Sequence, residues 1–247
     1  MTEKKSTVSE HLIELRSRLL KSIIFLIITF IVCYIFSDKI YNFLVDPYAQ
    51  AVKGDGNNRR LIFTALHETF LTYLKLAFFA AFFFSCPLIL MQIWKFVAPG
   101  LYKDEKLALL PFLIATPVLF LLGGMLVYYL IMPLAIKFFL SFETAAINGS
   151  LPIQLEAKVN EYLSLVMRLI LAFGISFQLP VFLTLLAKVG FITSEYLKTR
   201  RKYVVIIIFS MASILTPPDP ITQIGLALPL LLLYEISIFT VKFVEKK

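Results

Sequence analysis

Six long apolar runs divide this chain and leave it few ways to fold. Charges and turn residues bound them at about 19–36, 70–97, 107–139, 162–189, 203–215 and 221–241. A membrane-crossing helix needs roughly 20 such residues. Within lipid only a helix satisfies the backbone of one continuous segment, and the alternating pattern of a membrane β-barrel strand is absent. Composition agrees: 59% of the 247 residues are hydrophobic and 16% are charged, against about 45–50% and about 25% in soluble domains. The expected fold is an all-α integral membrane protein with six transmembrane helices, residues 1–247 forming one polytopic domain. No internal repeat or low-complexity tract is visible. The first run starts too far in, and continues into too long a protein, for a cleaved signal peptide.

Basic residues give the orientation. One side collects Lys4, Lys5, Arg16, Arg18, Lys21, Lys95, Lys103, Lys106, Lys188, Lys198, Arg200, Arg201, Lys202, Lys242, Lys246 and Lys247, which is 16 of the 24. The other takes Lys39, Lys53, Arg59, Arg60, Lys75, Lys137, Lys158 and Arg168. The richer side is expected in the cytoplasm, with both termini inside. The net charge of +8 is thereby accounted for, and nucleic acid is not needed as a partner.

Several runs cannot be plain rods. Pro87, Pro111, Pro117, Pro133, Pro180 and Pro229 interrupt them, and each removes a backbone donor and bends its helix. The third run, with three prolines, is expected to tilt, kink and emerge from the membrane. Apolar sequence in the fifth run covers 203–215, about 20 Å of helix against about 30 Å of hydrocarbon. In the last run Glu235 leaves only 224–234 as uninterrupted apolar sequence. The last two helices are therefore read as a short hairpin that thins the bilayer. Spin labels at Leu215 and Ile224 should report near-interfacial depth.

The N-terminus is the most informative stretch. Thr7 and Glu10 form a capping-box pattern, opening an amphipathic cytoplasmic helix over 1–18. Leu12, Ile13, Leu15 and Leu19 can lie on the membrane while Glu10, Glu14 and Arg18 recur at four-residue steps on the wet side. Glu14–Arg18 reads either as a surface pair or as a carboxylate presented to a cationic partner. On the same side, Pro99-Gly100 turns the loop between runs two and three, and Asp104-Glu105 sets carboxylates on a basic face. Two carboxylates suit a dibasic ligand, and guanidinium forks pair with them better than ammonium does. Asp104 can alternatively cap the third helix. Asp219-Pro220 reads as cap and first-turn proline of the last helix. Arg168 is expected to pair with Glu161 or with a lipid phosphate, and Trp94, Tyr128, Tyr129 and Tyr203 to join interfacial belts.

An enzyme is disfavoured. No Gly is followed by Lys, so no phosphate-cradling loop exists. His11 and His67 lie outside the apolar runs, and the Asp residues lie in tails or loops. Cys33 and Cys86 are far apart and read as buried small hydrophobes. No metal cluster and no cofactor are expected.

The pattern His11-Leu-x-Glu14-Leu-Arg16-x-Arg18-Leu resembles the N-terminal signature of the TatC family, the receptor subunit of the twin-arginine protein translocase. The stretch Gln92-x-Trp94-x-Phe96-x-Ala98-Pro99-x-Leu101-Tyr102-x-x-Glu105 resembles that family's first cytoplasmic loop. Further matches are Ser85-x-Pro87, Ala172-Phe173-Gly174-x-Ser176-Phe177-x-x-Pro180, Leu215-Thr216-Pro217-Pro218-Asp219 and Pro229-x4-Tyr234-Glu235, so the resemblance covers nearly the whole chain. It implies a concave, glove-like bundle in a bacterial or archaeal inner membrane that exports folded proteins using the proton-motive force. It implies that Glu14 and Glu105 receive the paired arginines of a signal peptide, with Arg16 and Arg18 supporting and Gln92 and Phe96 in the adjoining groove. Pro47 and Asp219 match positions needed on the periplasmic side. Thr216 and Gln223 resemble the site where single-span TatA/TatB-type subunits dock, within a larger self-associating complex, and Glu235 is a further intramembrane candidate. Where many members carry Glu in the fourth span this sequence has Gln178, which leaves a polar role and removes a charged one. The alternative is a secondary transporter of small solutes, whose usual repeats and charged midplane sites are missing.

Overall fold

The structure, a computed structural model, describes residues 8–53, 60–97, 106–144, 151, 153–216 and 218–245. Its elements are α1 (Val8–Ile35), α2 (Ser37–Val52), α3 (Glu68–Val97) and α4 (Lys106–Leu126). A π-helical turn (Val127–Ile131) follows, then α5 (Met132–Leu140), α6 (Val159–Ser176), α7 (Leu179–Lys188), α8 (Ser194–Leu215) and α9 (Pro220–Glu245). The fold is all-α. Among the described residues five segments are long and apolar enough to cross a membrane: Leu12–Ile35, Glu68–Ile93, Pro111–Leu140, Val159–Lys188 and Pro220–Glu245.

Each apolar run becomes a helix or a pair of helices, and two prolines decide which. A helical proline pushes against the carbonyl four residues back and leaves it without a donor. For Pro133 that residue is Tyr129, inside the π-helical turn, where Met132 N–H donates to the Val127 carbonyl five residues back. For Pro180 it is Ser176, the last residue of α6, and the chain restarts as α7. Both runs are therefore interrupted at a proline. Pro87 and Pro229 stay inside continuous helices.

The amphipathic segment expected over 1–18 is continuous with the first span: α1 runs unbroken for 28 residues, about 42 Å. Its Leu12, Ile13, Leu15 and Leu19 are exposed, and α1 packs chiefly on α3. The capping-box residue Thr7 lies outside the described residues.

The core gathers around α6, where Leu163, Leu169 and Phe173 are fully buried with Leu76 of α3, Met132 of α5 and Leu226 of α9. A Cβ on Gly123 would sit 2.7 Å from the Phe173 carbonyl oxygen, so only glycine lets the α4 and α6 backbones approach so closely. At the opposite end of the bundle from Glu14, α2 closes over α3 and α5. Pro47 is buried in α2 and cannot donate to the Phe43 carbonyl. The Tyr128 hydroxyl does so instead at 2.8 Å, its ring stacked on Phe43 at 4.3 Å between centroids. Tyr128 is therefore buried, not part of an interfacial belt, because its hydroxyl answers the acceptor that Pro47 leaves open. The Tyr162 hydroxyl likewise donates to the Leu44 carbonyl at 3.0 Å.

The last two helices need a finer description. α8 has 22 residues, but its first half carries Glu195, Lys198, Arg200, Arg201 and Lys202, and its apolar part is indeed short. α9 has 26 residues and is long enough to cross. Only its uncharged part is short, because Glu235 interrupts it.

Candidate functional site

The expected binding residues divide between the two ends of the bundle. At the α1 N-terminal end, Glu14 and Arg18 sit one turn apart. Arg18 Nε and NH2 donate to Glu14 Oε1 at 3.0 and 2.6 Å, and Arg18 NH1 donates to Gln92 Oε1 on α3 at 3.2 Å. The helical spacing alone gives the first contact. The third joins residues 74 apart in sequence, because α1 lies along α3. Both side chains are partly shielded, with 37% of Glu14 and 23% of Arg18 exposed, so the guanidinium is held on two sides. Both bonds to Glu14 use Oε1, and among the described residues no donor reaches Oε2. Arg16 is exposed beside them, and Phe96, one turn beyond Gln92, is half-buried. Glu105 and Asp104 lie outside the described residues, as does the whole 98–105 loop.

The α8–α9 hairpin holds a second set of charges at the same end. Arg201 NH2 donates to Glu235 Oε2 at 2.8 Å, with both side chains about half exposed. Glu235 is thus neither a bare membrane charge nor a freely snorkelling one, since α8 brings it a cation. The neighbouring Tyr234 hydroxyl donates to the Leu197 carbonyl at 2.8 Å. Glu245, on the last turn of α9, accepts from Ser194 N–H at 2.7 Å and from the Ser194 hydroxyl at 2.6 Å. A carboxylate at a helix N-terminus is favoured by the free N–H groups and the helix dipole. Sequence reasoning missed this clasp, since nothing local relates residues 51 apart.

At the opposite end of the hairpin, Asp219 is buried. Oδ1 accepts from Thr222 N–H at 2.8 Å and Oδ2 from the Thr222 hydroxyl. This is the cap expected from Asp219-Pro220. Thr216 is also buried, its hydroxyl donating to the Ala212 carbonyl at 2.9 Å, whereas Gln223 is half-buried. Of these two positions, Gln223 is the more open to an approaching helix.

Gln178 stands at the α6–α7 break. It is buried, and its Nε2 donates to the Thr116 carbonyl on α4 at 3.0 Å, while Oε1 has no partner among the described residues. An amide can donate to that carbonyl and an ionised carboxylate cannot. Among the described residues no cluster of His, Cys, Asp or Glu could hold a metal.

Comparison with known proteins is consistent along the chain. The family described as "TatC: Sec-independent protein translocase protein (TatC)" matches residues 10–229. The chain is 49% identical over 245 residues to the Sec-independent protein translocase protein TatC of Magnetococcus marinus, covering 99% of this chain and 87% of that one. The Rickettsia prowazekii protein of the same name is 46% identical over 236 residues, covering 96% and 92%. A crystal structure titled twin arginine translocase receptor TatC superposes with a TM-score of 0.79 at 37% identity, covering 96% of this chain and all of the other.

Proposed function

The chain belongs to the TatC family, and we propose that it reads the paired arginines of signal peptides on folded cargo through the Glu14 end of the bundle. As a family member it is a multi-pass membrane component of a protein translocase, a receptor rather than an enzyme, working with other subunits of that system. The permease alternative finds no support among its relatives.

The observation that carries this reading is the Glu14–Arg18–Gln92 bridge. It holds a carboxylate at the mouth of the α1–α3 pair, with one oxygen engaged and the other without a partner among the described residues. A partly shielded carboxylate binds a guanidinium more strongly than an exposed one. Arg18 holds its rotamer, so less side-chain freedom is lost when a ligand arrives. Glu105 is proposed as the second acceptor, with Arg16 as a supporting residue and Gln92 and Phe96 lining the groove for the segment after the arginines.

In this reading both termini face the cytoplasm, because the basic residues concentrate at the Glu14 end, and the α2 end with Pro47 and Asp219 faces the periplasm. Single-span TatA/TatB-type subunits are proposed to pack on the α8–α9 hairpin, where Ile206, Ile207, Ile214, Ile224 and Leu228 are exposed and Gln223 offers one polar contact. Several copies would assemble into a larger complex, with passage driven by the proton-motive force.

The test is photocrosslinking from positions 14, 92 and 96 of the membrane-embedded chain to a signal peptide. Crosslinks should appear with an Arg-Arg peptide and be lost with Lys-Lys. Equal crosslinking of both peptides would overturn the reading.

A further inference from the structure

Among the described residues, two cations near the α2 end have no acidic partner. Arg168 lies nine residues into α6, about 14 Å along the helix from Val159, and its side chain is exposed between buried Met167 and Leu169. Of its two expected partners, Glu161 pairs instead with Lys158 at 3.6 Å. On α3, exposed Lys75 donates to Asn160 Oδ1 at 3.2 Å, an amide and not a carboxylate. Glu68, at the start of the same helix, spends its carboxylate on the N–H groups of Thr64 and Ala65, on the Thr64 hydroxyl and on the backbone N–H of Asn160. Among the described residues no acid lies within ion-pair distance of Lys75 or Arg168.

These groups are not scattered. Asn160, Ser164 and Arg168 fall at four-residue steps on one face of α6, and the Ser164 hydroxyl donates to Asn160 Oδ1 at 3.5 Å. Lys75, Asn160, Ser164 and Arg168 therefore form a polar ladder between α3 and the open face of α6. Both helices begin at the α2 end, and helical side chains lean toward the N-terminus of their own helix. Both cations accordingly reach toward the membrane surface at that end. The deeper flank is apolar, with Phe78 on α3 and Ile175 on α6 exposed.

We propose that this ladder binds the headgroup phosphate of an anionic phospholipid in the leaflet at the α2 end, its acyl chains lying against Phe78 and Ile175. An intramembrane arginine is costly without a counter-ion, and basic pockets between helices suit acidic headgroups. A planar fork, an ammonium, an amide and a hydroxyl match the several acceptor oxygens of a phosphodiester. One carboxylate from a partner helix would leave part of that set unused. The site depends neither on signal recognition nor on which face is cytoplasmic.

Native mass spectrometry of the purified, delipidated full-length chain tests it, with dioleoylphosphatidylglycerol and dioleoylphosphatidylcholine titrated separately. The anionic lipid should be retained in preference to the zwitterionic one. Arg168→Leu should weaken its binding about fivefold, Lys75→Leu by a similar factor, and Arg168→Lys should retain most of it. Leucine suits a lipid-facing position, so the variants should elute and melt as the parent does. The proposal is overturned by equal retention of the two lipids or by unchanged binding in the Lys75→Leu/Arg168→Leu double variant. Displacement of the lipid by equimolar inorganic phosphate would also overturn it, as would a co-purifying polypeptide released by Arg168→Leu.

Discussion

The two ends of the bundle treat their charges differently. At the Glu14 end carboxylates meet cations both within a helix and between helices: Glu14 with Arg18 one turn along α1, and Glu235 on α9 with Arg201 on α8. At the α2 end Asp219 and Glu68 spend their carboxylates on Thr222 and on Thr64 and Ala65, Glu161 pairs with its own neighbour Lys158, and among the described residues no acid lies within ion-pair distance of Lys75 or Arg168. One end thus offers a placed carboxylate and the other offers placed cations. Helix N-termini stand at both ends, and their free N–H groups take a carboxylate at each: Asp219 at the start of α9 and Glu245 at the start of α8.

The largest effect should come from removing the placed carboxylate. Glu14→Gln keeps the shape and removes the charge, and should weaken twin-arginine peptide binding by about 2 kcal/mol, the scale of a hydrogen bond to a charged group. Peptide titration with a fluorescent label measures it, and an unchanged affinity would erase the contrast between the ends. Gln178→Glu probes the middle of the bundle. An ionised carboxylate cannot donate to the Thr116 carbonyl, so thermal unfolding should show a loss of about 1–3 kcal/mol. A variant as stable as the parent would mean that the carbonyl finds another donor.

Asp219→Ala should destabilise the protein by about 1 kcal/mol, the usual cost of a lost N-cap, with Asp219→Asn recovering most of it. If Asp219→Asn instead keeps stability but stops transport, the carboxylate has a role beyond capping. The smallest effect belongs to Arg201 and Glu235. The pair is half exposed, so either alanine variant should cost about 0–1 kcal/mol. Exchanging the two residues should restore the melting temperature; failure to restore it would show that Glu235 matters for something other than this pairing.

Much of this was legible in the sequence, for reasons that differ by residue. The helices at 68–97, 106–140 and 220–245 follow from apolar run length, because lipid offers the backbone no other donor or acceptor. The contact of Glu14 with Arg18 and the Asp219 cap follow from local spacing. α2 was not legible, since 37–52 mixes Ser, Asp, Lys and Pro47 with its apolar residues and looks like a loop. Of the two partners expected for Arg168, Glu161 is taken by Lys158, one turn before it, and only the lipid phosphate is left.

The sequence by itself determined the class of the molecule and its family. Those depend on residue counts and ordered motifs, which survive without any knowledge of packing. Tertiary structure decided the partners. Arg18 finds Gln92, Arg201 finds Glu235, Tyr128 finds the carbonyl freed by Pro47, and Lys75 finds an amide instead of an acid. These contacts join residues from 34 to 85 apart. Only the way helices lie against one another sets such distances, and in lipid each unmet charge or carbonyl makes that packing matter.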